Sequence, residues 1–393
     1  VPIGEDPEAR FGPPNDFKDK YRVIETEGYQ QKGDIGEQAM RRFKSAYRKS
    51  YWYVMPLLRI AYKFYSEIFH YPDKEKKWRF PAIKVSERFL EHEKVDAIIS
   101  SSSPVTCHIV ARELKNNKHK IPWVADLRDL WTQNHNYPYS SLRRIIERRL
   151  EVAVLSHADA LVTVTRPWAE RLRDLHKREE VYTITNGFDS ERLNREETGL
   201  TSKFTITYTG QIYRAKQDPS KLFIALRDLI GDGTIEVKDV EVRFYGPEHE
   251  VLTRGIEKYR LVGIAKEYGV VTRQVAFEKQ RESHLLLLLN WDDPNEKGWY
   301  PLKIFEYLAA QRTILSIGGF GNDVVEALLE ETKAGIYCKT LEDIRKALKV
   351  LYLEYREKGK VSYRGDRRKI SQYSYREMAR KFSEVLNNLT GDV

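Results

Sequence analysis

Val95-Asp96-Ala97-Ile98-Ile99-Ser100 is a short apolar run that ends in a serine-proline turn, and a helical pattern follows over 105–116. A second run, Ile121-Pro122-Trp123-Val124-Ala125-Asp126, comes next, then a charged helix over 142–153 and a third run, Ala160-Leu161-Val162-Thr163-Val164. Residues 168–176 read as another helix, ahead of the strand Val181-Tyr182-Thr183-Ile184 and the turn Asn186-Gly187. Short strands separated by helices of about 10–15 residues are the pattern of parallel βαβ units.

The pattern restarts after a polar stretch at 190–203. Strands are expected at 204–208, 240–245, 270–277, 285–289 and 313–317, with helices between them and a terminal helix over 374–389. The fold class expected is therefore α/β, with two Rossmann-like, doubly wound halves joined near 195–202. Residues 1–198 form the first domain, 199–373 the second, and 374–393 a helix packing back toward the first. In such sheets ligands sit beyond the carboxyl ends of the strands, so the residues just after each strand carry the interest.

Residues 1–93 read differently, because no opening strand and glycine-rich turn appears there. Over 40–69, Met40, Phe43, Tyr47, Tyr51, Val54, Leu58, Ala61, Tyr65 and Phe69 recur at steps of three or four, with Pro56 placed to kink the helix. The stretch 41–79 carries eleven Lys and Arg against three acids. Such a segment can lie in the headgroup region of a membrane, basic face on anionic lipid and aromatics at the boundary. The plainer alternative is a core-packing helix with solvated charges.

The chain has 393 residues, of which 41% are apolar and 32% charged, which excludes disordered, collagenous and disulfide-scaffold classes. No stretch approaches the roughly 18 apolar residues of a membrane span, and no export signal pattern opens the sequence. Cys107 and Cys338 are far apart and fit reduced thiols in a cytoplasmic setting, with peripheral attachment to the inner membrane face as a further expectation. The net charge of +9 suits anionic partners in general. Zinc-finger spacing and an aromatic-basic RNA-binding run are missing, so no nucleic-acid partner is expected.

Four motifs occur in one order: Asp126-Leu127-Arg128-Asp129-Leu130-Trp131, Asn186-Gly187-Phe188-Asp189, Tyr208-Thr209-Gly210 and Lys303-Ile304-Phe305-Glu306-Tyr307-Leu308-Ala309. Together they resemble the GT-B glycosyltransferases of family 4, especially the branch that builds capsule, exopolysaccharide and lipid-linked glycans. The resemblance runs from about His70 to the end. It implies two Rossmann-like domains facing a cleft, a nucleotide-sugar donor linked to UDP or GDP, a glycan or lipid-linked acceptor, and retention of anomeric configuration. It departs from the family pattern twice. The family's first strand and glycine-rich loop have no counterpart, as though the chain starts roughly 40–50 residues late, the size of one βα unit plus a strand. The family's pair of glutamates eight positions apart is also incomplete, since Glu306 is present but Gly298 stands at the first position.

A nucleotide-sugar presents its phosphates beside the bond that breaks, and the site must stabilise the charge that builds on the leaving diphosphate. The resemblance assigns this to Arg214 and Lys216, beyond the tight turn at Gly210; a solvated basic loop is the alternative. Tyr300-Pro301-Leu302-Lys303 reads as a loop entering a helix, with Pro301 suited to the first turn. The helix start offers N–H groups and a positive dipole end to a diphosphate, and Lys303 adds a full charge. Glu306, on the same face, matches the family glutamate that reaches the ribose; an i,i+3 pair with Lys303 is the other reading. The run Ser316-Ile317-Gly318-Gly319-Phe320-Gly321 is by itself an ordinary turn.

On the acceptor side, Asp126, Arg128 and Asp129 follow a strand. Asp129 is the candidate for acceptor positioning or proton removal. Arg128 is a candidate phosphate ligand, or half of an Asp–Arg pair that caps the loop. Ser102 and Ser103 either cap the next helix or face the acceptor, and Asn186 borders the cleft by resemblance. His92, His108, His135, His157 and His284 show no metal spacing, and Asp292-Asp293 is not an Asp-x-Asp motif. The expectation is a metal-independent hexosyltransferase with no required cofactor. Two rivals stand beside it: an epimerase or hydrolase of the same fold, and a non-catalytic nucleotide-sugar-binding or assembly subunit.

Overall fold

The computed structural model describes residues 22, 24, 26, 60, 62–116, 120–194, 198–213, 216–294 and 296–391. Most of the helical candidate over 40–69 lies outside them; residues 62–69 are helical. The chain divides into two compact units, 1–125 with 137–158 and 126–136 with 159–393.

The first unit contains α1 (Arg79–His92), β1 (Ile98–Ser102), α2 (Thr106–Asn116) and α3 (Ser141–Leu155). The fully buried strand β2 (Trp123–Leu127) follows α2 in the chain. The second unit continues with β3 (Ala160–Thr163), α4 (Arg166–His176) and β4 (Val181–Thr183). These four strands form one sheet in chain order, β1-β2-β3-β4, with β3 and β4 paired in parallel, Leu161 opposite Val181.

The rest of the second unit is a six-stranded sheet. Its elements are β5 (Phe204–Thr209), α5 (Ser220–Gly231), β6 (Val240–Tyr245), α6 (Glu250–Lys258), β7 (Ala265–Glu267), α7 (Arg273–Arg281), β8 (Leu285–Leu289), α8 (Lys303–Ala310), β9 (Thr313–Ile317), α9 (Val324–Thr332) and β10 (Gly335–Cys338). Helices α10 (Leu341–Lys358), α11 (Arg367–Ser371) and α12 (Tyr375–Thr390) close the chain. The strand order is β10-β9-β8-β5-β6-β7 and every pairing is parallel. Strand order reverses between β5 and β8, which places the topological switch point beyond Thr209 and Leu289.

Both faces of this sheet are covered. Leu285, Leu287 and Leu289 pack in one apolar cluster with Phe223 and Leu348, while Leu286 and Leu288 pack in another with Phe305 and Leu328. Side chains that alternate between two buried faces explain a strand written as five leucines.

One expected strand is corrected. Residues 270–277 are not a strand: Thr272 caps α7, its hydroxyl accepting from the Val275 N–H, and Phe277 lies on the helix's buried side. The cap decides against the β-branched residues around it. The strand of this unit is instead the short edge element β7, and β10 was not anticipated. No described helix is long and apolar enough to cross a membrane.

Candidate active site

At the end of β5 the chain turns at Gly210, whose φ of +110° suits glycine, and whose N–H donates to the Tyr245 carbonyl at 2.7 Å. A Cβ on Gly246 would lie 2.3 Å from the Gly210 carbonyl oxygen, so the turns after β5 and β6 press together with room for no side chain. Beyond β5 and β8 lies a cavity of about 440 Å³. Every residue lining it belongs to the second unit.

One wall is aromatic. Trp291, just past β8, stacks on Trp299 with ring centroids 4.0 Å apart, and the edge of His135 meets Trp291 at 4.4 Å. The Lys216 Nζ sits 4.2 Å from the Trp291 ring centroid and donates to Asn136 Oδ1 at 2.5 Å. Gln217 is a brace: its amide donates to the Leu289 carbonyl at 2.7 Å and accepts from the Tyr213 N–H.

The floor is the start of α8. Pro301, Leu302 and Lys303 line the cavity, and the helix start has no side-chain cap. The Lys303 amine donates to the Tyr208 phenol and lies 3.9 Å from that ring's centroid, while the Tyr208 hydroxyl donates to the Gln211 carbonyl at 2.8 Å. Burial pushes the Lys303 amine down to about 7, against the pull of Glu306. Burial also raises the Tyr208 phenol, which stays neutral and cannot hold the ammonium as a carboxylate would.

A buried carboxylate organises the wall behind the tryptophans. Glu296 accepts from Trp168 Nε1 at 3.0 Å, the Gly298 N–H at 2.9 Å and Arg171 at 3.2 Å, and His135 Nδ1 is 3.1 Å away. Burial acts to raise its pKa, yet these donors outweigh it and hold the carboxyl down at about 2. Gly298 is held in the same knot. A Cβ there would come within 2.4 Å of the Trp168 indole, so the position that resembles the family's first glutamate admits no side chain in this packing.

Asp129, Arg128 and Asn186 also line the cavity. Asp129 is exposed at the cavity, where partial desolvation raises its carboxyl, with His135 opposing. Arg128 is engaged: it donates to Asp126 at 2.8 Å, to the Ile184 carbonyl at 3.0 Å and to Asn186 at 3.3 Å, and it lies over the Phe382 ring of α12. Asp126 is buried.

Lys216, Gly210, Lys303, Pro301, Leu302, Asp129, Arg128 and Asn186 thus lie at or beside one cavity. Glu306 faces Arg273 at 3.3 Å, on the same helix as Lys303. Ser102, buried, and Ser103, exposed, lie at the end of β1 in the first unit. Arg214 lies outside the described residues. The sequence reading gave no site role to Trp168, Trp291, Trp299, His135 or Glu296. For Trp291 the signal was present, since it follows a strand that ends at the switch point. Among the described residues no group of three or more His, Cys, Asp or Glu side chains is placed to hold a metal ion.

Residues 45–192 match the family model described as Glycosyltransferase Family 4. No curated protein matches the chain. Among solved structures, the chain resembles a sucrose-phosphate synthase from Thermosynechococcus elongatus (TM-score 0.56, 12% identity, covering 81% of this chain and 80% of that one). It also resembles Anabaena HepE in complex with UDP and glucose (TM-score 0.55, 14% identity, 80% and 83%). A third is a UDP-forming α,α-trehalose-phosphate synthase from Burkholderia xenovorans (TM-score 0.54, 13% identity, 88% and 85%). The fold is GT-B, two parallel-sheet α/β domains.

Proposed function

We propose that the chain is a glycosyltransferase that moves a sugar from a UDP- or GDP-linked donor to a glycan or lipid-linked acceptor, with retention and without a metal, in cell-surface polysaccharide or glycolipid synthesis. The observation that carries this reading is Lys303, a half-buried amine on a helix start, desolvated by its surroundings and facing a cavity at the switch point, with the neutral Tyr208 phenol as its hydrogen-bond acceptor. An anionic diphosphate supplies the charge that this amine lacks. The family match over 45–192 and the UDP bound in the HepE structure support the choice of donor class.

In the proposed reaction the bond from the anomeric carbon to the diphosphate oxygen breaks. Lys303, Lys216 and Arg214 stabilise the negative charge that collects on the leaving group. The acceptor hydroxyl oxygen forms the new bond, and its proton passes to the departing phosphate. Asp129, with its raised carboxyl, orients the acceptor hydroxyl. Glu306 holds the ribose, and the stacked Trp291 and Trp299 give the sugar an apolar face to rest on. The setting is cytoplasmic, with the basic aromatic stretch 40–79 on an anionic membrane surface.

Calorimetric titration with UDP and GDP tests the donor site. One of the two is expected to bind, and Arg214→Ala and Glu306→Ala are expected to weaken it. Failure of both nucleotides, or binding indifferent to both substitutions, overturns the reading. The packing that leaves Gly298 without a side chain favours one rival, a nucleotide-sugar-binding subunit without catalysis. Binding without sugar transfer to any acceptor would decide for that rival.

A further inference from the structure

Helix α3 turns its charges inward and its apolar side chains outward over its first turns, and only its end, Val154 and Leu155, buries apolar side chains. Its sequence, Ser141 to Leu155, carries a charged stripe and an apolar stripe, each at helical spacing. Arg143, Glu147 and Glu151 are buried, while Leu142, Ile145 and Ile146 are 70%, 56% and 50% exposed. The buried charges are provided for. Arg143 donates to the carbonyls of Ser66, Glu67, His70 and Pro72, stacks on the Tyr139 ring, and approaches Glu147, which accepts from Tyr137.

The same contacts clamp the helical residues 62–69 beside the start of α3, with Ser140 donating to the Glu67 carboxylate through both N–H and hydroxyl. That helix is inverted too. Ser66 and His70 are buried, whereas Phe64, Ile68 and Phe69 are exposed. Burying ions while exposing six large apolar side chains is costly unless something covers the exposed face.

The exposed charges identify the cover. Arg144, Arg148 and Arg149 of α3 and Lys63 of the neighbouring helix are exposed, while the acids of both helices point inward or toward Ser140. A face that is apolar and uniformly cationic fits the boundary between anionic headgroups and acyl chains. A second copy of the chain fits it poorly, because a two-fold interface would set these arginines against themselves.

We propose that α3, with residues 62–69, is a membrane-docking surface that inserts Leu142, Ile145, Ile146, Phe64 and Ile68 among the lipids of an anionic bilayer while the arginines hold headgroup phosphates. This surface involves none of the cavity residues, so it stands or falls separately from the donor-site reading.

The test is co-sedimentation of the full chain with vesicles of phosphatidylcholine alone and of phosphatidylcholine mixed with phosphatidylglycerol, alongside nucleotide calorimetry and sedimentation velocity on the same samples. Binding is expected only with the anionic lipid. It should fall about tenfold or more in Ile145→Glu/Ile146→Glu and in Arg148→Glu/Arg149→Glu, each of which should sediment like the parent chain. All these positions are exposed, so the fold should tolerate the changes. Absence of vesicle binding by the parent chain overturns the proposal, as does binding that both variants retain. A parent dimer that Ile145→Glu/Ile146→Glu converts to monomer, with no lipid binding, would instead assign the face to a second copy. Nucleotide binding unchanged in the variants separates this result from any failure of the donor site.

Discussion

Two sides of the same cavity each hold one desolvated ionisable group, and they are held in opposite ways. Glu296, on the wall, is surrounded by Trp168, the Gly298 N–H, Arg171 and His135; Lys303, on the floor, has the Tyr208 phenol. Both pKa values move down, to about 2 and about 7. For the carboxylate this means that donors defeat burial and fix the charge. For the amine it means that burial defeats its partners and makes the charge conditional. A saturated ion serves as scaffold, and an undersupplied one is where a ligand's charge has the most effect.

The comparison breaks most severely at Glu296. Glu296→Ala removes the acceptor of the Trp168 indole N–H and the Gly298 N–H in a buried setting, and one of the groups that Arg171 bonds. The expected loss is about 3–5 kcal/mol of folding stability, read from urea unfolding at pH 7. The contribution has a direction in pH. With an unfolded value near ~4.3 and a folded value of about 2, it is fully present above the unfolded value and disappears as pH falls through the folded one. The variant and the parent chain should therefore converge in stability on acidification. A constant gap down to the lowest pH at which the chain folds would contradict the role given to this carboxylate.

That knot also shows what a sequence can and cannot reveal. The leucine run at 285–289 and the apolar runs at 160–164 and 204–208 announced their strands, because sheets covered on both faces require continuous apolar residues. The edge element Ala265–Glu267 carried no such demand and went unseen, while Thr272 turned an apparent strand into α7. Lys303 was legible as a helix-start lysine. Its phenol partner stands 95 positions away, and Trp168 stands 128 positions from Glu296, distances over which no local pattern operates. The inversion of α3 was equally hidden, since two stripes at helical spacing do not say which one faces inward.

The comparison sharpens at Lys303, where the proposed diphosphate would convert a conditional charge into a fixed one. The amine's folded value of about 7 lies below its unfolded value, so its burial penalty is full below pH 7 and is relieved as pH rises toward about 10.4. Nucleotide binding above pH 7 then requires proton uptake. The UDP dissociation constant should rise with pH from 7 to 9, by up to about tenfold per unit while the bound amine stays charged. Calorimetry in buffers of different ionisation enthalpy would register the proton directly. Lys303→Met should bind UDP more weakly and with a flat pH profile, and should unfold at higher urea than the parent chain at pH 6. A parent profile that is already flat would remove Lys303 from the phosphate site.

The smallest effect is expected at Lys216, the cavity's other described lysine among the proposed phosphate ligands. Its ammonium already rests on the Trp291 ring and on Asn136, at the solvent side of the wall. A cation with water and an aromatic face to choose from gains little by moving to a phosphate. Lys216→Ala should weaken UDP binding by about two- to five-fold, within the ~0–1 kcal/mol typical of exposed ion pairs. Raised salt should shrink even that difference, because an exposed pair is screened where a buried one is not. The Lys303→Met deficit should persist in the same salt. If the two lysines instead responded alike to substitution, pH and salt, burial would not be what distinguishes them, and the floor and wall of the cavity would have to be treated as one electrostatic surface.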